Sequence, residues 1–111
     1  MDESPHARFT AAARAGRLDY QWDPRTQRAV FHPRVGDHLE WRTSAGLGTV
    51  YATTVLRRRD EPPANLALVD LDEGFRMMSR VEGVAPEDVA IGMRVRVRFD
   101  DEAVPVFEPA P

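Results

Sequence analysis

The chain has 111 residues, 42% of them hydrophobic and 30% charged. This balance suits a single core of about 100 to 150 residues and leaves disorder only to the ends. It contains no cysteine, which removes disulfides, thiolate nucleophiles and every cysteine-ligated zinc or iron–sulfur site. Its net charge of −3 argues against general nucleic-acid affinity, because phosphate-driven binding draws on strongly basic surfaces.

No apolar run approaches the roughly 20 residues of a membrane span, and "MDESPHARFTAAARAGRL" lacks the uninterrupted apolar segment of a signal peptide. The cytoplasm is therefore the expected compartment. All 15 basic residues are arginine, a trait read as genomic base composition rather than function.

Pro5 to Ala15 has the composition of a helix, with Ser4 as N-cap, Pro5 at the first helical position and Gly16 as the stop. Its apolar residues are mostly alanine, so Phe9, together with Leu18, is expected to dock on the rest of the domain or on a partner. "DYQWDPRTQRAVFHPRV", Asp19 to Val35, follows with a turn signal and a basic return, yet it is too short and polar to bury anything alone.

From Leu39 the pattern turns to strands. "LEWRTS" precedes "GTVYATTVLRR", in which Val50, Ala52, Thr54 and Leu56 alternate with Tyr51, Thr53 and Val55. Gly46 and Gly48 are read as permitting a bulge or bend where this long strand begins. "RRDEPPAN" is a loop, since Pro-Pro bars a central strand. "LALVDL" and "FRMMSRV" form a hairpin around "DEG", where Gly74 suits a positive φ. Met77 and Met78 then face opposite ways, one to the core and the other to an apolar groove or interface.

"APEDVAIGM" reads as a short helical turn, and "RVRVRF" places Val95, Val97 and Phe99 on one face with Arg94, Arg96 and Arg98 on the other. "VPVFEP" closes the chain. Five principal strands in this order predict an all-β fold, a five-stranded Greek-key barrel of the OB type.

Few features carry chemistry. His32 and His38 lie six residues apart near Asp37 and Glu40, a spacing that matches no standard metal frame, so no metal is expected. Asp70, Asp72 and Glu73 read as a solvated hairpin tip. "GLGTVY" is followed by no helix and is no phosphate fingerprint.

The arginines are more informative. Arg57, Arg58 and Arg59 end the long strand, and Arg94, Arg96 and Arg98 project from one strand face. Either set suits bidentate contact to phosphate, and for the second set the favoured reading is a solvated face balanced by neighbouring carboxylates. Trp22 beside arginines suits a binding surface, while Trp41 is expected to pack against the barrel.

Six segments, "FTAAARAGRL", "FHPR", "LEWRTSAGLGTVYATTVLRR", "ALVDLDEGFRMM", "IGMRVRVRF" and "PVFEPAP", resemble in order and spacing the zinc-ribbon and OB-fold proteins associated with acyl-CoA enzymes. Members of that family have a helix ending in Gly-Arg-Leu, a ribbon with two CxxC pairs, and then the barrel. Here Asp23 and Thr26 stand near where the first cysteine pair is expected, and the segment from Arg34 to Leu39 is too short for the second knuckle.

The resemblance implies three parts: a helix over residues 1–18, a metal-free degenerate ribbon hairpin over 19–38, and the OB barrel over 39–111. It also implies a non-catalytic accessory subunit without a cofactor. Its partner would be a thiolase-like enzyme or an enoyl-CoA hydratase of the MaoC type, and self-association is left open.

The acyl-CoA phosphates are expected on Arg57, Arg58, Arg59, Arg94 and Arg96, and the partner on Phe9, Leu18, Trp22, Phe31 and Arg34. The alternative is a module that binds single-stranded nucleic acid, against which stand the acidic balance and an aromatic content of 8%.

Overall fold

The structure is a computed structural model that describes residues 4–31 and 33–111. Among the described residues there are one α-helix and eight strands, the strands arranged in two antiparallel sheets. Helix α1 (Pro5–Arg14) begins where the Ser4 hydroxyl oxygen accepts the Ala7 N–H at 3.1 Å. It ends at Gly16, whose φ of +80° lets Arg17 N–H return to the Ala12 carbonyl at 2.9 Å.

The small sheet has the order β2 (Arg28–Val30), β1 (Asp19–Asp23), β3 (Glu40–Thr43). The main sheet runs β6 (Arg76–Ser79), β5 (Ala64–Leu71), β4 (Leu47–Leu56), β7 (Arg94–Phe99), β8 (Pro105–Pro109). A 3-10 turn over Pro86–Asp88 lies between β6 and β7, as the sequence predicts.

Two expectations are corrected. Five strands do share the main sheet, but "LEWRTS" is not among them: β3 pairs with β1, with Trp41 opposite Gln21 and Arg42 opposite Tyr20. The main sheet is also open rather than a closed barrel. Its edges β6 and β8 form no ladder and meet only around a parallel bridge between Val81 and Phe107, helped by the Ser79 hydroxyl donating to the Pro105 carbonyl at 2.9 Å.

The long strand β4 also departs from unbroken alternation. A bulge between Val50 and Ala52 shifts its register against β5 and reverses the phase beyond it. Val55 is thereby half-buried while Leu56 turns outward, 37% exposed. Thr53 faces the buried Asn65, whose amide donates to its hydroxyl oxygen at 2.8 Å and whose carbonyl accepts the Val81 N–H at 2.9 Å. Gly48 is needed for close approach, since a Cβ there would stand 2.6 Å from the Asp70 carbonyl oxygen.

Val50, Val69, Val95, Val106 and Phe107 fill the main core. The lead-in is fastened to it by aromatic rings. Tyr20 of β1 stacks on Phe75 at 4.8 Å between centroids, Phe31 stacks on Phe75 at 5.2 Å, and Phe9 of α1 meets Phe31 edge-on at 5.6 Å. The Asp19–Val35 segment thus finds in the chain itself the apolar surface it lacks alone.

Candidate functional site

Strand β7 presents Arg94, Arg96 and Arg98 outward and buries Val95, as its alternation dictates. Each guanidinium already has a carboxylate. Arg94 holds Asp72 through two bonds of 2.8 Å and also donates to the Thr49 hydroxyl oxygen at 3.0 Å. Arg96 meets Glu108 at 3.0 Å, and Arg98 meets Glu82. The hydrogen bonds from Arg94 hold the Asp72 carboxyl below the usual aspartate range despite its partial desolvation.

Arg57 reaches Glu87 of the 3-10 turn at 3.3 Å. Arg58 and Arg59 are exposed in the loop after β4, and neither side chain has a partner among the described residues. The two arginine sets therefore differ in their surroundings. The β7 row is a neutralised face, because the β5–β6 turn, the segment after β6 and β8 bring Asp72, Glu82 and Glu108 alongside it.

Of the residues expected at a partner interface, Leu18 is 1% exposed and lies in the chain's own core. Phe9 and Phe31 are half-buried against each other and Phe75. Trp22 and Arg34 reach the surface. The Arg42 guanidinium lies 4.5 Å from the Trp22 ring centre. Arg34 is exposed while its backbone is clamped: the Gln21 side chain accepts the Arg34 N–H at 2.9 Å and donates to the Arg34 carbonyl at 2.8 Å.

Trp41 does not pack against the main sheet. Pairing with Gln21 puts it on the face of the small sheet opposite Tyr20 and Trp22, where Arg8 lies 5.1 Å from its ring centre. His38 stands 3.6 Å from the Asp23 carboxylate, and His32 lies outside the described residues.

The acidic hairpin tip is more than a solvated turn. Asp70 takes Arg76, Asp72 takes Arg94, and Glu73 crosses to the segment joining the sheets, accepting the Ser44 hydroxyl at 2.7 Å and the Ala45 N–H at 2.9 Å. Nothing local marks Glu73 for this task, since its partners lie 28 and 29 residues away.

Met77 is buried and Met78 is 63% exposed, as adjacent strand residues require. Met78 joins Ala52, Thr54, Leu66 and Leu68 in an apolar groove on the outer face of the main sheet.

An open five-stranded antiparallel sheet carrying a helix and a small second sheet, with a paired arginine row on β7, defines a domain of the OB-fold class. Residues 41–100 match the family described as the ChsH2 C-terminal OB-fold domain, and the chain belongs to that family.

The chain is 37% identical over 78 residues, 64% of its length, to the 3-oxo-4,17-pregnadiene-20-carboxyl-CoA hydratase alpha subunit of Mycobacterium tuberculosis, of which the match covers 25%. It is 38% identical over 82 residues, 65% of its length, to a probable enoyl-CoA hydratase alpha subunit of Thermomonospora curvata, of which the match covers 26%. The chain thus spans about a quarter of these curated relatives. A solved structure of an Ltp2-ChsH2(DUF35) aldolase matches with a TM-score of 0.82 and 30% identity, over 99% of this chain and 98% of that one.

These names correct the expectation that the chain is no enzyme. The relatives are hydratase alpha subunits and a chain of an aldolase, so they point to a catalytic role for a small subunit. Among the described residues no helix is long and apolar enough to cross a membrane.

Proposed function

We propose that this chain is a subunit of an enzyme assembly that hydrates or cleaves acyl-CoA thioesters, working with a thiolase-like or enoyl-CoA-hydratase-like partner. The observation that carries this reading is the end-to-end match to the aldolase chain, in which helix, small sheet and main sheet are all covered at a TM-score of 0.82. The similarity to hydratase subunits supports the same substrate class from a second direction.

The β1–β2 hairpin is read as a ribbon without its metal, braced by the Gln21 amide on Arg34 and by Asp23 beside His38. Contact with the partner is assigned to α1 and the loop after β2, where Arg34 is exposed. The nucleic-acid alternative draws no support from the β7 face, whose arginines are already paired with carboxylates.

The test is co-expression with a thiolase-like or hydratase-like protein of the same organism. The assays are hydration of an enoyl-CoA and cleavage of a β-hydroxyacyl-CoA. The expected result is a stable complex whose activity falls at least tenfold without this chain. A partner that is fully active alone and forms no complex would refute the reading.

A further inference from the structure

Charge is divided unevenly along the chain. Residues 4–43 carry seven arginines against four carboxylates, whereas residues 44–111 carry eight against twelve. In the second part Arg57, Arg76, Arg80, Arg94, Arg96 and Arg98 each meet a carboxylate. In the first part the guanidinium groups of Arg25 and Arg28, on the hairpin turn and on β2, meet none among the described residues.

Arg28 borders a cleft of about 510 Å³ between the hairpin and the β5–β6 turn, lined also by Trp22, Gln27, Ala29, Glu73 and Gly74. Three kinds of contact converge there. Trp22 lines the cleft with its indole, which also carries the Arg42 guanidinium over its ring, 4.5 Å from the centre. Gln27 commits its amide N–H to the Pro24 carbonyl at 2.8 Å, which leaves its side-chain oxygen as an acceptor. Glu73 accepts one hydrogen bond on each oxygen and retains further lone pairs.

A stacking surface, two acceptors and an unpaired guanidinium at the rim match a ligand with a planar ring, N–H or O–H donors, and an anionic end. The cleft volume lies within the range of roughly 300 to 1,000 Å³ usual for small-ligand sites. The Glu73 charge repels the anionic end and so fixes the orientation, with phosphate toward Arg28.

We propose that this cleft binds a purine nucleoside phosphate, with its ring on Trp22, its amino or ribose hydroxyl donors on Gln27 and Glu73, and its phosphate on Arg28. Two carriers share that chemistry, the nucleotide end of an acyl-CoA and a free adenine nucleotide. The choice of the first rests on the function proposed above. The site itself rests only on residues of this chain.

Isothermal titration of the full chain with CoA, adenosine 3′,5′-bisphosphate, ADP and pantetheine tests it. Binding of the three nucleotides and none of pantetheine is expected. Arg28→Ala and Trp22→Leu should each weaken binding at least tenfold, Arg28→Lys should weaken it less, and Arg94→Ala should leave it unchanged. Arg28 is exposed and meets no carboxylate among the described residues, so Arg28→Ala keeps the test valid even if Trp22→Leu fails to fold.

CoA binding tighter than ADP supports the thioester as carrier, and equal affinity supports the free nucleotide. No nucleotide binding, or affinity indifferent to Arg28→Ala, overturns the cleft. A stable and active partner complex with that indifference would sink the cleft alone. Nucleotide binding without any partner complex would instead sink the assembly reading and leave the cleft standing.

Discussion

The Phe31 ring lies flat on Phe75, 5.2 Å between centroids with planes 5° apart, and so joins the loop after β2 to the turn between β5 and β6. Phe75 also carries Tyr20 at 4.8 Å, which makes it the common anchor of the lead-in. Phe75→Ala is expected to cost about 3 to 5 kcal/mol by urea unfolding, the range for truncating a buried aromatic. A loss below about 1 kcal/mol would show that the lead-in is held by other contacts.

Glu73 fixes the segment between the sheets through the Ser44 hydroxyl and the Ala45 N–H. Hydrogen bonds to a charged group contribute about 1.5 to 3 kcal/mol, so Glu73→Ala should lower stability by that order. Amide exchange should accelerate at Ala45 and at Gly46, whose N–H donates to the Ser44 hydroxyl oxygen at 2.9 Å. Unchanged exchange there would mean that the junction is set by the aromatic rings alone.

Gly48→Ala should be destabilising by about 1 to 3 kcal/mol, the usual cost of forcing extra volume into a packed site. Here the obstacle is the Asp70 carbonyl oxygen, 2.6 Å from the new Cβ, and β5 backbone cannot turn aside as a flexible side chain can. Thermal unfolding measures the loss, and an unshifted midpoint would contradict the close approach of β4 and β5.

Arg94→Ala, by contrast, should change stability by less than about 1 kcal/mol, because the Arg94–Asp72 pair is solvent-exposed on both sides. Chemical denaturation of this variant and of Arg96→Ala checks the point. A loss of several kcal/mol would mark the row as structural.

Acid should unfold the protein through three aspartates whose pKa lies below the ordinary 3.8. At Asp23, burial pushes the value up but is outweighed by the Arg25 N–H, the His38 charge and Thr26. At Asp72 the Arg94 hydrogen bonds lower it, and at Asp100 the Val104 and Glu102 N–H groups and Arg80 do so. A lowered folded value contributes stability that is complete above the unfolded value and lost as pH falls through the folded one. Unfolding free energy should therefore be flat with respect to these groups above about pH 5 and decline from about pH 4 downward. Asp23→Asn should make that decline shallower, and an unaltered slope would remove Asp23 from the account.

The sequence by itself determined what depends on neighbours along the chain. Ser4, Pro5 and Gly16 bounded α1, Gly74 made its hairpin, Pro86 opened the 3-10 turn, and alternation sorted Met77 from Met78 and Val95 from the arginines beside it. These follow from backbone conformation and strand period, which a short window contains. Only the tertiary structure decided pairing across distance. β3 joined β1 instead of β4, a bulge after Val50 reversed the far half of β4, and Asp72, Glu82 and Glu108 came to pair with the β7 arginines while Arg25 and Arg28 met no carboxylate among the described residues. A guanidinium looks the same in sequence whether or not a carboxylate from another strand reaches it, and that encounter is set by register and sheet order.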